Sequence, residues 1–428
     1  MKPLVTLALL LCPSLSFALE GNWIRTYQGG YGHSVLETAD GGAILGGTFG
    51  AGFDCCRPWV VKLNADGTPA WEVTYDAPGL AGANNLVPTR DGGYVFSGEG
   101  TSFMLVKIDA AGNVLWARDY GDGGYSLLRV VEADDGSLLL TGATAMDDPN
   151  ASNGRAVLVD PNGEVIWQKI YGRPGPNEFF ADAIQGYNGN FIVAGSTRGD
   201  YWLAELDRAT GAVVWQNAYG GGAEDTGLVV TPVLKRYYMV VGASDSFADG
   251  GLRNWWAVIV GQNGKISKEF SLGGADAEDP HAAIATSDGG FLIGGGSGSF
   301  NATAGEIWLV KFDARAKIEW QKSYGIPDRT DSAWEIQETA TGYTVIGDSY
   351  SFPIVYEHWL MRIDRNGNVE DASCGVVRET KVPLRATNAN VREAGAQAVD
   401  TKIPPVDLEV VPTFFELPIE ACVPTGGR

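Results

Sequence analysis

Polar side chains recur at one aligned point of a repeating pattern in this 428-residue chain, and they are its first candidates for chemistry. The point is the loop entering the first strand of each repeat, which carries His33, Asn84, Ser126, Asn177 with Glu178, Asp225, Glu278 with Asp279, and Asp331. A ring rich in carboxylates and amides suits a hard cation such as Ca²⁺, which takes six to eight oxygens, or a polyhydroxylated ligand. The same residue types also satisfy backbone N–H groups in turns. There is no contiguous DxDxDG loop, so no dedicated calcium cradle is written here and no cofactor is expected. Two carboxylates roughly 5–10 Å apart would serve glycoside hydrolysis. The ring offers too many acids to nominate a pair, so no catalytic residue is assigned.

Other chemistry is thinner. Three histidines, His33, His281 and His358, are too few for a His-rich metal centre with a spare base. No GxSxG, HExxH or Walker pattern occurs. Of the 13 tryptophans, six fall in one column (Trp23, Trp71, Trp116, Trp167, Trp215, Trp320) and five in another (Trp59, Trp202, Trp256, Trp308, Trp359). Both columns read as packing, where large rings bury much apolar area. Trp255 and Trp334 stand outside them, and Trp334 begins a first strand, where a side chain can face a central channel. The candidate ligand-binding set is therefore His33, Asn84, Glu178, Asp225, Asp279, Asp331 and Trp334.

The elements that would position these residues come from self-similarity. Segments such as WEVTYDAPG from Trp71, WARDYGDGG from Trp116, WQKIYGRPG from Trp167 and WQKSYGIPD from Trp320 recur at steps of 45–53 residues, with one degenerate copy bearing Lys268 in place of Trp. Each repeat holds a short run ending in a turn such as Asp-Gly, an apolar run ending in Gly, a variable loop, a third strand such as WVVKLN or WLVKFD, and the Trp strand. Asp-Gly between apolar runs is a strong hairpin signal, since both central residues of a type I′ turn need positive φ. No 3.6-residue periodicity appears, so helix should be nearly absent. Four short antiparallel strands repeated seven times predict an all-β, seven-bladed β-propeller. The run before the Asp-Gly turn would be innermost and the Trp strand outermost. The last blade lacks a good Trp strand, so residues 22–27 are expected to complete it and pin the two ends of the ring together, leaving no strand edge exposed there.

ELDRATGAVVWQ (205–216) and KIDAAGNVLWA (107–117) resemble the tryptophan-docking repeats of quinoprotein (PQQ-type) propellers. The whole pattern, over about residues 20–370, resembles secreted bacterial and archaeal propeller-repeat proteins. The resemblance implies the fold and says little of function, because propellers host binding, scaffolding and several chemistries. Adjacent cysteines occur near the cofactor in some quinoprotein dehydrogenases, but no quinone or Ca²⁺ ligand set matches here.

Residues 1–18, MKPLVTLALLLCPSLSFA, read as a signal peptide, with one Lys, a short apolar run and small residues before the cleavage point. The domains expected are thus the signal at 1–18, the propeller at 19–370 and a tail at 371–428. The tail breaks the repeat and is expected to be extended along the propeller rim or to form a small β-appendage. After export four cysteines remain. Cys374 with Cys422 is the favoured disulfide, and Cys55 and Cys56 form either a vicinal disulfide, two thiols, or bonds to the distant pair. A net charge of −21 repels phosphate backbones and anionic membranes, which makes nucleic acid an unfavourable partner. No run is long enough for a membrane helix. The expected function is an exported, monomeric, non-catalytic binding scaffold, secreted or periplasmic, for a protein or a cell-envelope polysaccharide. The alternatives are an extracellular carbohydrate-active hydrolase with paired acids at the channel mouth, and a redox protein using a quinone or the vicinal cysteines.

Overall fold

The computed structural model describes residues 22–421, apart from 29, 51–55, 100–101, 123–124, 145–151, 174–176, 249–251, 301–304, 326–329, 350–356, 371–376 and 416–418. The expected signal peptide at 1–18, Cys55, Cys374 and Cys422 lie outside the described residues, while Cys56 is disulfide-bonded. Seven antiparallel sheets fan round one axis as the repeats predict. No described segment is helical, and none is a helix long and apolar enough to cross a membrane. We number the blades 1–7 by their innermost strands: Gly30–Glu37, Ala81–Pro88, Tyr125–Glu132, Glu178–Gln185, Asp225–Val233, Glu278–Ala285 and Asp331–Glu338. Blade 7 takes its fourth strand, Ile24–Gln28, from the N-terminal end of the chain, paired to Glu357–Asp364.

What joins blade to blade is a latch made by the Trp strand. Each outer Trp lies on the glycine of the next blade's third turn, and the Tyr four residues later donates its hydroxyl to that glycine's carbonyl. The hydroxyl bonds run from Tyr27, Tyr75, Tyr120, Tyr171, Tyr219 and Tyr324 to Gly67, Gly112, Gly163, Gly211, Gly264 and Gly367 at 2.6–2.9 Å. These six glycines have φ between +67° and +86°, and a Cβ on any of them would come within 3.0–3.2 Å or less of the indole or its neighbours. Glycine is thus needed twice, for the backbone and for the ring's approach. At the blade 5/6 junction all three partners change together. Lys268 replaces Trp, Leu272 replaces Tyr, and Ala316, at φ +55°, replaces Gly. Without an indole to admit, the turn tolerates a methyl group, and the Lys268 ammonium reaches the carbonyls of Arg315 and Ala316 at 3.0 and 3.1 Å.

The tail adds a fifth strand to every blade. It passes blades 6, 5, 4, 3, 2 and 1 in turn and ends on blade 7 beside Ile24–Gln28. Arg378, Arg385, Arg392, Val399, Val406, Thr413 and Glu420 pair with Ser323, Ser271, Ala218, Ile170, Asp119, Thr74 and Thr26. Every partner is the third residue after the outer Trp or its Lys268 substitute, and every step along the tail is seven residues. Seven extended residues reach at most about 23–25 Å, which sets the upper limit of the stride from one blade rim to the next. The outer-strand Gln after the Trp reads this strap: Gln216 donates to the Ala396 carbonyl at 2.8 Å and accepts the Ala396 N–H at 3.2 Å, and Gln321 does the same with Val382 at 3.0 and 2.9 Å. Gln168 donates to the Ile403 carbonyl at 2.8 Å, and in blade 5 Glu269 accepts from Thr387 and the Ala389 N–H. The rim-wrapping tail is therefore integral to the sheets rather than a separate appendage.

Three substitutions test these devices. Gly211→Ala and Gly189→Ala both place a Cβ on a left-handed backbone, but only Gly211 faces an indole, with Trp167 Cε3 2.8 Å away, while nothing lies within 4 Å of Gly189. Chemical denaturation should show both destabilised, with Gly211→Ala worse by about 1–3 kcal/mol. Gln216→Leu strands a buried N–H and carbonyl of Ala396 and should cost roughly 1–3 kcal/mol, with amide exchange faster at Ala396 than at Val382.

Candidate functional site

The innermost strands share an irregularity that period-two reasoning does not foresee. Six carry a bulge at the same height, after Gly32, Ala83, Phe180, Gly227, Pro280 and Ala333, and in blade 3 the register shifts between Tyr125 and Arg129. A bulge leaves a residue unpaired and re-aims its side chain. In blades 1, 6 and 7 the bulged residues are His33, His281 and Trp334, and they meet. The Trp334 ring lies 4.3 Å from that of His281 and 5.8 Å from that of His33, centroid to centroid. The Trp334 indole N–H donates to Asp348 Oδ2 at 2.7 Å, and Asp348 Oδ1 accepts the Gly32 N–H at 3.0 Å. Burial pushes the Asp348 carboxyl up to about 7 despite these bonds, and pushes His281 down to about 4. His358 is buried behind this group against Trp59, 4.3 Å between ring centres, close enough to Gly32 that a Cβ there would lie 2.5 Å from its Nδ1. Burial holds its pKa well below the ordinary histidine value. All three histidines of the chain thus gather in the blade 6–7–1 sector.

Below this level lies the residue after each bulge: Ser34, Asn85, Arg129, Asp182, Val229, Ala282 and Glu335. Four of them accept an N–H from the next blade. Glu335 takes Val35, Ser34 takes Leu86, Asn85 takes Val130 and Asp182 takes Val230, at 2.7–3.1 Å. Asn85, Arg129, Asp182, His281, Trp334 and Glu335, with Gln337, line a channel cavity of about 190 Å³. An apolar cavity of ~150 Å³ holds benzene, so this one takes a single six-membered ring. Desolvation raises the pKa of both Asp182 and Glu335, opposed by the nearby Arg129 charge.

The loop acids named from sequence divide differently. Glu178, Asp225, Glu278 and Asp331 are fully buried. Glu178 accepts the Arg173 N–H at 2.9 Å and the Thr197 hydroxyl at 2.6 Å; Asp225 accepts the Gly221 N–H at 2.9 Å and binds the Ser244 and Ser246 hydroxyls. Glu278 repeats this with Gly274, Ser297 and Ser299, and burial raises its pKa to about 7. Asp331 abuts Gly325, where a Cβ would lie 2.7 Å from its carboxylate. Glu178, Asp225 and Glu278 thus fasten the entry loops of blades 4, 5 and 6 to their second strands. Asp279 is half-exposed and ion-pairs with Arg253 at 3.2 Å; Asn177 accepts the Ser152 N–H at 3.1 Å. Asn84 occupies the blade 2 bulge, its amide oxygen over Gly82, and the Ser126 side chain lies outside the described residues. Of the seven candidates, His33 and Trp334 come together; the others are distributed round the ring. Among the described residues no group of three or more His, Cys, Asp or Glu is placed to hold a metal ion. Sequence reasoning missed Arg129, Asp182, Glu335, Asn85, Gln337 and Asp348. The first four share a column, the position after the bulge in the innermost strand, and that alignment was the available signal.

No protein-family model and no curated protein matches the chain. Among solved structures it is similar to a protein of unknown function from Bacteroides caccae (14% identity, TM-score 0.41, covering 70% of this chain and 93% of that one). It is also similar to Sqt1 from Chaetomium thermophilum (14%, 0.47, 85% and 91%). A third likeness is to catalytically inactive virginiamycin B lyase from Staphylococcus aureus with quinupristin (13%, 0.47, 80% and 99%). Likeness at this level concerns the fold, and the architecture above rests on the strand pairing itself.

Asp348 gives a pH test. Its folded pKa, about 7, lies above the unfolded value near 3.8, so the folded state keeps a proton that the unfolded state has lost between those values. Its contribution therefore turns against folding as pH rises from about 4 to 7. Asp348→Asn keeps an acceptor for Trp334 without the charge. Thermal unfolding should show the variant gaining on the wild type across that interval, with no such gain below pH 4.

Proposed function

We propose that the protein is an exported, non-catalytic binding scaffold for a polysaccharide of the cell envelope, with one terminal sugar ring entering the channel cavity. The observation that carries the reading is the lining. Sugar hydroxyls donate and accept at once, and Asn85, Gln337, Arg129 and His281 offer both kinds of group around the Trp334 ring within a one-ring volume. The signal-like residues 1–18 support export. Binding rather than cleavage is favoured because the cavity acids are already committed: Asp182 accepts the N–H groups of Ala183 and Val230, and Glu335 that of Val35. A catalytic acid needs a proton free to move to the substrate.

Calorimetry with solubilised envelope polysaccharide tests the proposal. Trp334→Ala should weaken binding about tenfold or more, and the glycan should keep its length on prolonged incubation. A glycan that shortens with wild type and stays intact with Asp182→Asn would replace this reading with the hydrolase. Equal binding by wild type and Trp334→Ala would remove the channel as the site.

A further inference from the structure

Arg129 departs from the rule that its column otherwise follows. The residue after the bulge accepts the next blade's N–H in blades 7, 1, 2 and 4, through Glu335, Ser34, Asn85 and Asp182. Val229 and Ala282, in blades 5 and 6, have no polar side chain to offer. Arg129, in blade 3, carries donors only and cannot accept at all. The N–H it would have taken, that of Ala183, goes instead to Asp182 Oδ1 at 2.9 Å. A donor has thus been placed where the ring's own stitching calls for an acceptor, and a neighbouring carboxylate absorbs the loss.

Within the protein the guanidinium is a counter-charge, opposing the rise that burial imposes on Asp182 and Glu335. Its contact is with Asp182 Oδ1, through Nε at 3.8 Å, beyond hydrogen-bond length, and its side chain is 25% exposed to the cavity. Arg129 borders the same space as Trp334 and His281, and a guanidinium fork matches a carboxylate bidentately. His281, held neutral above about pH 4, adds no competing charge. Asp182 and Glu335 flank the fork, and their oxygens point into backbone N–H groups, Ala183 and Val230 for one and Val35 for the other.

We infer that Arg129 is the specificity determinant of the channel, and that the sugar it selects is a uronate whose carboxylate seats on the Arg129 fork while its ring lies against Trp334. This rests on the sugar-binding reading and narrows it to acidic sugars. The chain's net charge of −21 opposes the approach of such a ligand from a distance but not the short-range fork. Raising the salt should therefore leave affinity unchanged or improve it, the reverse of ordinary surface ion pairing.

The test is calorimetric titration of the full chain with glucuronate, galacturonate, mannuronate and guluronate against glucose, galactose and mannose. At least one uronate should bind tenfold or more tighter than its neutral counterpart. Arg129→Gln should erase that preference, and Arg129→Lys, a point charge without the fork, should restore only part of it. Neutral sugars binding as well as every uronate would overturn the inference and leave the scaffold reading standing. Failure of all seven sugars would remove both. A large fall in melting temperature for Arg129→Gln and Arg129→Lys alike, with the uronate preference intact in the folded fraction, would make Arg129 only a counter-ion for Asp182 and Glu335 and sink the inference.

Discussion

The structure depends on blades holding one another, because a blade cannot hold itself. Each of the hydrophobic clusters is built from two neighbouring sheets: Met239, Val241 and Trp255 of blade 5 with Ile293, Trp308 and Val310 of blade 6, or Val35, Leu45 and Trp59 of blade 1 with Ile346 and Leu360 of blade 7. A four-stranded sheet of this size buries one face only against a partner. The Trp–Tyr–Gly latch fixes the spacing and angle at which partners meet. A net worth near 1 kcal/mol for each hydroxyl bond is modest, but the geometric demand is strict, since glycine's positive φ and the indole's close approach are needed at one residue. The blade 5/6 junction shows the same constraint from its other side. Once Lys268 removes the ring, both remaining partners relax to Leu272 and Ala316, and the ammonium takes over the turn carbonyls.

Ring closure then becomes a problem of ends and edges. Seven outer strands would present seven rows of unpaired N–H and C=O groups, the surface through which sheets associate wrongly. The strap covers them with one pairing segment every seven residues. It runs against the direction of the blades, so its last strand, Ile419–Ala421, arrives beside Ile24–Gln28 in the sheet that the N-terminal strand has already completed. Both ends of the described chain therefore meet in blade 7. A strap that pairs Arg378 with blade 6 and Glu420 with blade 7 makes contacts up to nearly four hundred residues apart. Such long closures come late in folding, since loop entropy must be overcome before they are rewarded.

Much of this was legible from residue types alone, and the exceptions have physical reasons. The blades, their order and the role of Ile24–Gln28 follow from columns of Trp, Gly and Asp-Gly, where one residue type is demanded by backbone or ring geometry. The strap is equally periodic, yet its sequence hides the fact. Backbone pairing accepts Arg378, Val399, Thr413 and Glu420 alike, and the inward positions ask only for something small or apolar, such as Ala394, Ala396 or Val382. The loop acids misled for a related reason. An aligned column of Glu178, Asp225 and Glu278 looks like a ligand ring, but hydroxyls placed nineteen residues later, Thr197, Ser244 and Ser297, accompany it just as regularly and consume it. The bulges were invisible because one extra residue leaves composition unchanged while reversing which side chains face the channel.

A ring of equivalent positions gains a direction only where the equivalence is broken. The column after the bulge is acceptor-bearing from blade 7 through blade 2 and again at blade 4, apolar at blades 5 and 6, and cationic at blade 3. The bulge column above it is aromatic in blades 6, 7 and 1. Superimposed, these patterns set an indole and two imidazoles on one side of the axis and a lone guanidinium across from them, with amides and buried acids between. Seven-fold packing forces do not require that arrangement. Val229 and Ala282 show that the column accepts apolar residues, and Asn85 that it accepts a neutral amide. Arg129 is the counter-charge to two of the stitching acids, Asp182 and Glu335, and it borders the same cavity as Trp334, so one cation serves the ring's own carboxylates and faces whatever enters the channel.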